Sequence, residues 1–133
     1  MHSTNYFGTL ILASPDCKAS TGTVPPKEGT IAALQHEMLA AAPYRMSSDD
    51  LLFAVEATRK GIARNKLGAL RGTFFSEPHA CLRGSPLVKS YGWGIHHDVH
   101  GKIALVGRET KTYAAMIANP SITKVAGLRS RRP

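Results

Sequence analysis

The chain has 133 residues, 17 Lys plus Arg against 9 Asp plus Glu, a formal net charge of +8 and a hydrophobic fraction of 43%. That length fits one domain burying about two-thirds of the surface its unfolded chain exposes, and it excludes a multidomain machine. The apolar share and the spread of four Tyr, four Phe and one Trp exclude whole-chain disorder, while the positive balance favours an anionic partner.

Residues 1–6 contain no basic run, and the apolar stretch at 7–13 is too short to cross a bilayer. A soluble, cytoplasmic protein with no membrane segment is expected. Cys17 and Cys81 stand far apart with no second cysteine beside either, which predicts free thiols.

Residues 6–13 are rich in aromatic and branched side chains and stop at Ser14-Pro15-Asp16, the pattern of a strand and a turn. A Pro/Gly-rich loop follows at 14–29, long enough to be a lid or a wrapped arm. Thr30 as N-cap, with Ile31, Leu34, Met38 and Ala42 at helical spacing, predicts a helix that Pro43 ends. Ser47-Ser48-Asp49-Asp50 has the form of a capping box, and Leu51, Leu52, Val55, Thr58 and Ile62 continue it as one stripe of a second helix. The two carboxylates suit the positive end of that helix without any catalytic duty.

Residues 62–75 continue helically, with Ala63, Leu67, Leu70 and Phe74 on one stripe, although Gly61, Gly68 and Gly72 weaken the pattern. Lys60, Arg64 and Arg71 flank one side of the stripe and Arg59 and Lys66 the other. Such a face suits phosphates or headgroups, and equally a core helix whose basic stems snorkel around the buried edge.

Residues 91–97 and 102–107 flank Asp98-Val99-His100-Gly101, a four-residue connection that predicts a β-hairpin over 91–107. Pairing Asp98 with Gly101 sets Trp93 beside Val106 and Ile95 beside Ala104. Gly92, Gly94 and His96 then share the other face with Ile103 and Leu105, and the two glycines leave a trough for a helix or a ligand. A one-residue bulge would exchange these faces. Residues 110–119 predict a last helix, residues 122–128 a strand or a short helix, and residues 129–133 a basic tail. The expected fold is a single α+β domain over 1–133. Its antiparallel sheet holds the 91–107 hairpin and the N-terminal strand, covered on one face by three or four helices.

Chemically able side chains are densest at 81–97. Arg83, Ser85, Lys89, Tyr91 and His96 offer donors there, and Trp93 offers a packing surface. Anion recognition is what this set does best, although a loop entering a strand often carries Ser-Pro and Gly with solvated cations. Linear spacing does not bring Cys81 to His96 or His97, so a thiol–imidazole pair is not predicted. No Walker loop, dinucleotide-binding glycine pattern, H-E-x-x-H or nucleophile elbow is present, and neither a cofactor nor a metal is expected.

The opening Met1-His2-Ser3-Thr4-Asn5-Tyr6, the Ala13-Ser14-Pro15-Asp16-Cys17 turn, Pro43-Tyr44 with Ser47-Ser48-Asp49-Asp50-Leu51-Leu52-Phe53, and Cys81-Leu82-Arg83-Gly84-Ser85-Pro86-Leu87 leading to Tyr91-Gly92-Trp93-Gly94-Ile95-His96 form ordered blocks. Together they resemble a family of short bacterial and fungal proteins of unknown function, over nearly the whole chain. The sequence departs from that pattern at Gly84, where Ala is expected, and after Cys17, where Pro is expected. The resemblance implies a single cytosolic domain with its family features concentrated in the hairpin segment, and it assigns no catalytic role.

The leading expectation is an anionic small molecule bound at 81–97, with Arg83 and Lys89 as anion donors, Ser85 and Tyr91 as further ligands, Trp93 packing on it and His96 transferring a proton. The alternative is non-enzymatic nucleic-acid binding through Arg59, Lys60, Arg64, Lys66, Arg71 and the tail, or a protein-interaction module. The excess charge sits in residues 59–76 and 121–133, so the readings fall on different residues.

Overall fold

The computed structural model describes residues 1–130. In chain order its elements are β1 (Thr9–Leu12), α1 (Ile31–Ala41), α2 (Ser48–Lys60), α3 (Leu67–Phe74), α4 (Pro86–Ser90), β2 (Trp93–His97), β3 (Ile103–Gly107), α5 (Lys111–Ala118) and β4 (Thr123–Ala126). They form an α+β fold around one open sheet of order β3-β2-β1-β4. Residues 131–133 of the basic tail lie outside the described residues. Among the described residues no helix is long and apolar enough to cross a membrane.

The hairpin and the N-terminal strand pair antiparallel as expected, and residues 122–128 supply the strand β4 rather than a helix. β4, however, runs parallel to β1, which makes the sheet mixed. The reason is the connection: β3 also runs parallel to β1, and a chain joining two parallel strands must cross over a sheet face. α5 is that crossover. It packs Tyr113 and Met116 on Leu10, Leu12 and Val106, so helices cover both faces rather than one.

The hairpin register differs from expectation by one residue: Trp93 pairs with Gly107, Gly94 with Val106, Ile95 with Leu105, His96 with Ala104 and His97 with Ile103. The cause is the turn. Asp98 donates its amide to the Lys102 carbonyl at 2.9 Å, while its Oδ1 accepts the amides of His100 at 2.8 Å and Lys102 at 2.9 Å. The connection therefore closes at Lys102, not at Gly101, and β3 turns over. Trp93, Ile95, His97, Ile103 and Leu105 share one face, with Gly94, His96, Ala104 and Val106 on the other.

On the first face, Ile11, Ile95 and Ile103 pack against Leu39 of α1, Leu51 and Val55 of α2, Leu82, and Val88 of α4. α2 is sandwiched, because Phe53 and Ala57 on its far side pack against Phe75. Its expected stripe is thus only half right: Leu51 and Val55 are buried and Thr58 is exposed. The capping box forms as read, with Ser47 Oγ accepting the Asp50 amide and Asp50 accepting the Ser47 amide. Gly61, at φ 63°, ends the helix in the left-handed region. Residues 62–75 are consequently not one helical run but a 3-10 turn (Arg64–Lys66) and then α3.

The glycine trough is filled by the protein itself. A Cβ on Gly94 would stand 2.7 Å from the Tyr113 ring and 3.1 Å from the Ile11 carbonyl oxygen. Gly94→Ala is accordingly expected to cost about 2 kcal/mol, because neither the buried ring nor the strand backbone can retreat. Urea titration checks this: the midpoint falls while the slope stays that of the parent.

Candidate functional site

The polar side chains of 81–97 are mostly employed within the fold. Arg83 donates from Nε to the Ala126 carbonyl at 2.7 Å, and its own carbonyl accepts the Leu128 amide at 2.7 Å, which ties β4 to this segment. Ser85 is buried; its Oγ accepts the Leu87 amide as the N-cap of α4 and donates to Gln35 Oε1 at 2.6 Å. Tyr91 offers its carbonyl to the Thr23 amide, and Trp93 donates from Nε1 to the Thr23 carbonyl, each at 2.8 Å. The Trp93 ring lies 5.5 Å from that of His36 on α1. His96 projects from the opposite face, where its Nδ1 meets the Tyr44 hydroxyl at 2.8 Å. Burial holds His96 below the usual histidine range, with Asp98 acting against it.

The expected set therefore does not gather on one cavity. Lys89 lines a cleft with Asp16, Lys18, Ser90 and Ser130. Tyr44 was invisible to sequence reasoning as a partner of His96, and its positive φ of 59° is a local feature no pattern announces. Loop 14–29 is a fastened arm. Arg108 donates to the Cys17 and Ala19 carbonyls, and Glu109 accepts the Gly22 amide at 2.8 Å. The Gly22 amide holds the Glu109 carboxyl below its ordinary value.

Cys81 meets Tyr6: its sulfur lies 3.3 Å from the Tyr6 hydroxyl, and the Tyr6 ring stands edge-on to His97 at 5.3 Å. Burial and the Cys81 contact raise the Tyr6 hydroxyl, with Arg83 acting against them. Asp49, in the first turn of α2, accepts the Thr4 amide and hydroxyl at 2.7 Å each and the Ser3 hydroxyl at 2.8 Å. Its carboxylate anchors the N-terminus, in keeping with a structural role for the Asp49–Asp50 pair.

The basic residues of 59–71 are split. Lys60 pairs with Glu56 at 2.8 Å, and Arg71 pairs with Asp50 at 2.8 Å while lying 5.3 Å over the Phe75 ring. Burial pushes Asp50 up, but the Ser47 amide and the Arg71 guanidinium outweigh it and hold the carboxyl low. Arg59 faces a cleft on the other side of α2 with Glu56, Phe74 and His79. Arg64 and Lys66 are exposed on the 3-10 turn and have no ion pair among the described residues.

Between α2 and α3 runs an open groove of about 570 Å³. Its lining includes Phe53, Ala57, Ile62 and Leu67, and its charged lining residues among those described are the paired Arg71 and Asp50. α3, its outer wall, contains no buried residue and carries Gly68 and Gly72. Among the described residues nothing lies within 4 Å of where a Gly68 Cβ would be.

An α+β domain with struts of polar side chains, an apolar groove and a basic cleft is thus the class of protein described. The whole chain, residues 1–133, matches the family described as a family of unknown function (DUF6157), and it belongs to that family. No curated protein and no solved structure matches it.

His97 is fully buried, and neither ring nitrogen has a hydrogen-bond partner among the described residues. Burial first, then the neighbouring His96, pushes it down to about 4, with Asp98 acting in the opposite sense. The folded state therefore binds this proton less readily than the unfolded chain. Its stability contribution is complete above pH 6.5 and falls as the pH drops from there to about 4, a loss of about 3 kcal/mol. Denaturant titrations across that window should show His97→Leu losing less stability than the parent by about this amount.

Proposed function

We propose that the domain is a protein-interaction module whose α2–α3 groove receives an acidic amphipathic helix of a partner. The observation that carries this reading is an apolar groove walled by a helix with no buried residue; the exposed turn joining its lining residues Ile62 and Leu67 carries Arg64 and Lys66, which have no ion pair among the described residues. A short helix with two glycines is poorly held by its own propensity, and burial against a partner stabilises it. An amphipathic helix supplies apolar anchors at i, i+3, i+4 and i+7 for the groove floor, and acidic flanks for Arg64 and Lys66 on the adjoining turn.

A phosphate backbone fits this surface less well. Its contacts call for a continuous row of cations, whereas Lys60 and Arg71 are neutralised by Glu56 and Asp50, and Arg59 lies across α2. The small-molecule reading at 81–97 loses Arg83, Ser85 and Trp93 to internal hydrogen bonds, and Lys89 lines a cleft that none of them shares.

The test uses isotope-labelled full-length protein and two helical peptides with the same Leu pattern, one with Glu and one with Lys at the flanks. The Glu peptide should bind at least tenfold more tightly and move the amide signals of Ala57, Ile62, Leu67 and Gly68. Gly68→Trp should keep the melting temperature and abolish binding, since the indole fills open groove rather than core. Joint Arg64→Gln and Lys66→Gln should weaken binding several-fold and flatten its salt dependence. Equal binding of the two peptides, or indifference to Gly68→Trp, overturns the reading.

A further inference from the structure

The structure assigns a second, separate site: we propose that the cleft shared by Lys18 and Lys89 binds the phosphate group of a small molecule. The cleft has a volume of about 450 Å³ and is lined by Asp16, Lys18, Lys89, Ser90 and Ser130. Its walls are built rather than draped. On one side Lys89 and Ser90 end α4, which is anchored by Leu87 and Val88, both fully buried. On the other side Lys18 lies between Cys17 and Ala19, whose carbonyls both accept from Arg108 Nη1 at 3.1 Å. The Ser14 amide bonds to the Val88 carbonyl at 2.8 Å, and the Cys17 amide to the Ser14 carbonyl at 3.0 Å, so the two walls are joined.

Two lysines thereby line one cleft, and neither has an ion-pair partner among the described residues. Like charges brought together by fixed elements repel, and an anion seated between them reverses the sign of that energy. The acidic residue of the cleft, Asp16, is drawn to its wall by the Ser14 hydroxyl at 2.7 Å and the Ser130 amide at 3.0 Å. The ligand's charge and shape follow from the donors. Two lysines are point charges suited to a dianion, and the Ser90 and Ser130 hydroxyls add donors for an oxygen-rich group, which together describe phosphate better than a carboxylate. The volume exceeds what phosphate alone fills and leaves room for a sugar-sized remainder.

This site stands on observations independent of the α2–α3 groove. The test is calorimetric titration of the full chain with inorganic phosphate, glucose 6-phosphate and glucose at matched ionic strength. Saturable binding is expected for both phosphates and none for glucose. A preference for glucose 6-phosphate assigns the cleft to a monoester, and equal affinity to free phosphate. Lys18→Gln and Lys89→Gln should each weaken binding at least tenfold, with circular dichroism confirming the fold. Lys27→Gln, in the same arm but off the cleft, and Gly68→Trp, in the groove, should leave it unchanged. The proposal is overturned if neither phosphate saturates, or if Lys27→Gln costs as much as Lys89→Gln.

Discussion

Everything in this molecule hangs on β1, four residues hydrogen-bonded along both edges, to β2 on one side and β4 on the other. A strand so short has little registration of its own, and its two ends are fixed from outside. Before it, Ser3 and Thr4 are held by the Asp49 carboxylate; after it, the Ser14 amide binds Val88 of α4. Each anchor reaches across tens of residues to a different helix, so the sheet and its helical layer are positioned by the same few bonds. Ile11 on one face and Leu10 on the other, both fully buried, then seed the two cores.

How much of this was readable in the linear order of residues depends on the range of the interaction. The capping box at Ser47 and Asp50 is complete within four positions, and it formed as read. Ser85-Pro86 carries an equally local signal, a serine N-cap with proline at the first helical position, and α4 follows from it although that segment reads as a loop on its chemistry. The hairpin was legible but its register was not, because one aspartate accepting two amides lengthens the turn by a residue. The direction of β4 depends on where α5 crosses, which no local pattern encodes.

The candidate site was legible only in part, for a related reason. A dense run of polar side chains looks the same whether it faces a ligand or holds strands and loops together. In this fold Arg83, Ser85 and Trp93 are spent on Ala126, Gln35 and Thr23, partners 43, 50 and 70 residues away. Lys89 reads as a cation from its segment and lines a cleft, whereas its companion Lys18 carries no such signal, since that cleft forms only with the arm fastened by Arg108. The charge of the 59–71 segment was likewise visible, but not its partition by Glu56 and Asp50.

The fastening of that arm also gives the protein a built-in optical reporter. Trp93 is the single tryptophan of the chain. Its indole nitrogen is bonded to the arm at Thr23, its ring would touch a side chain at Gly22, and His36 lies alongside. Release of the arm at Gly22 and Thr23, beyond the Ser14 anchor, exposes this one ring to water. Intrinsic emission thus follows the opening of that part of the arm, with no label and no change to the covalent structure.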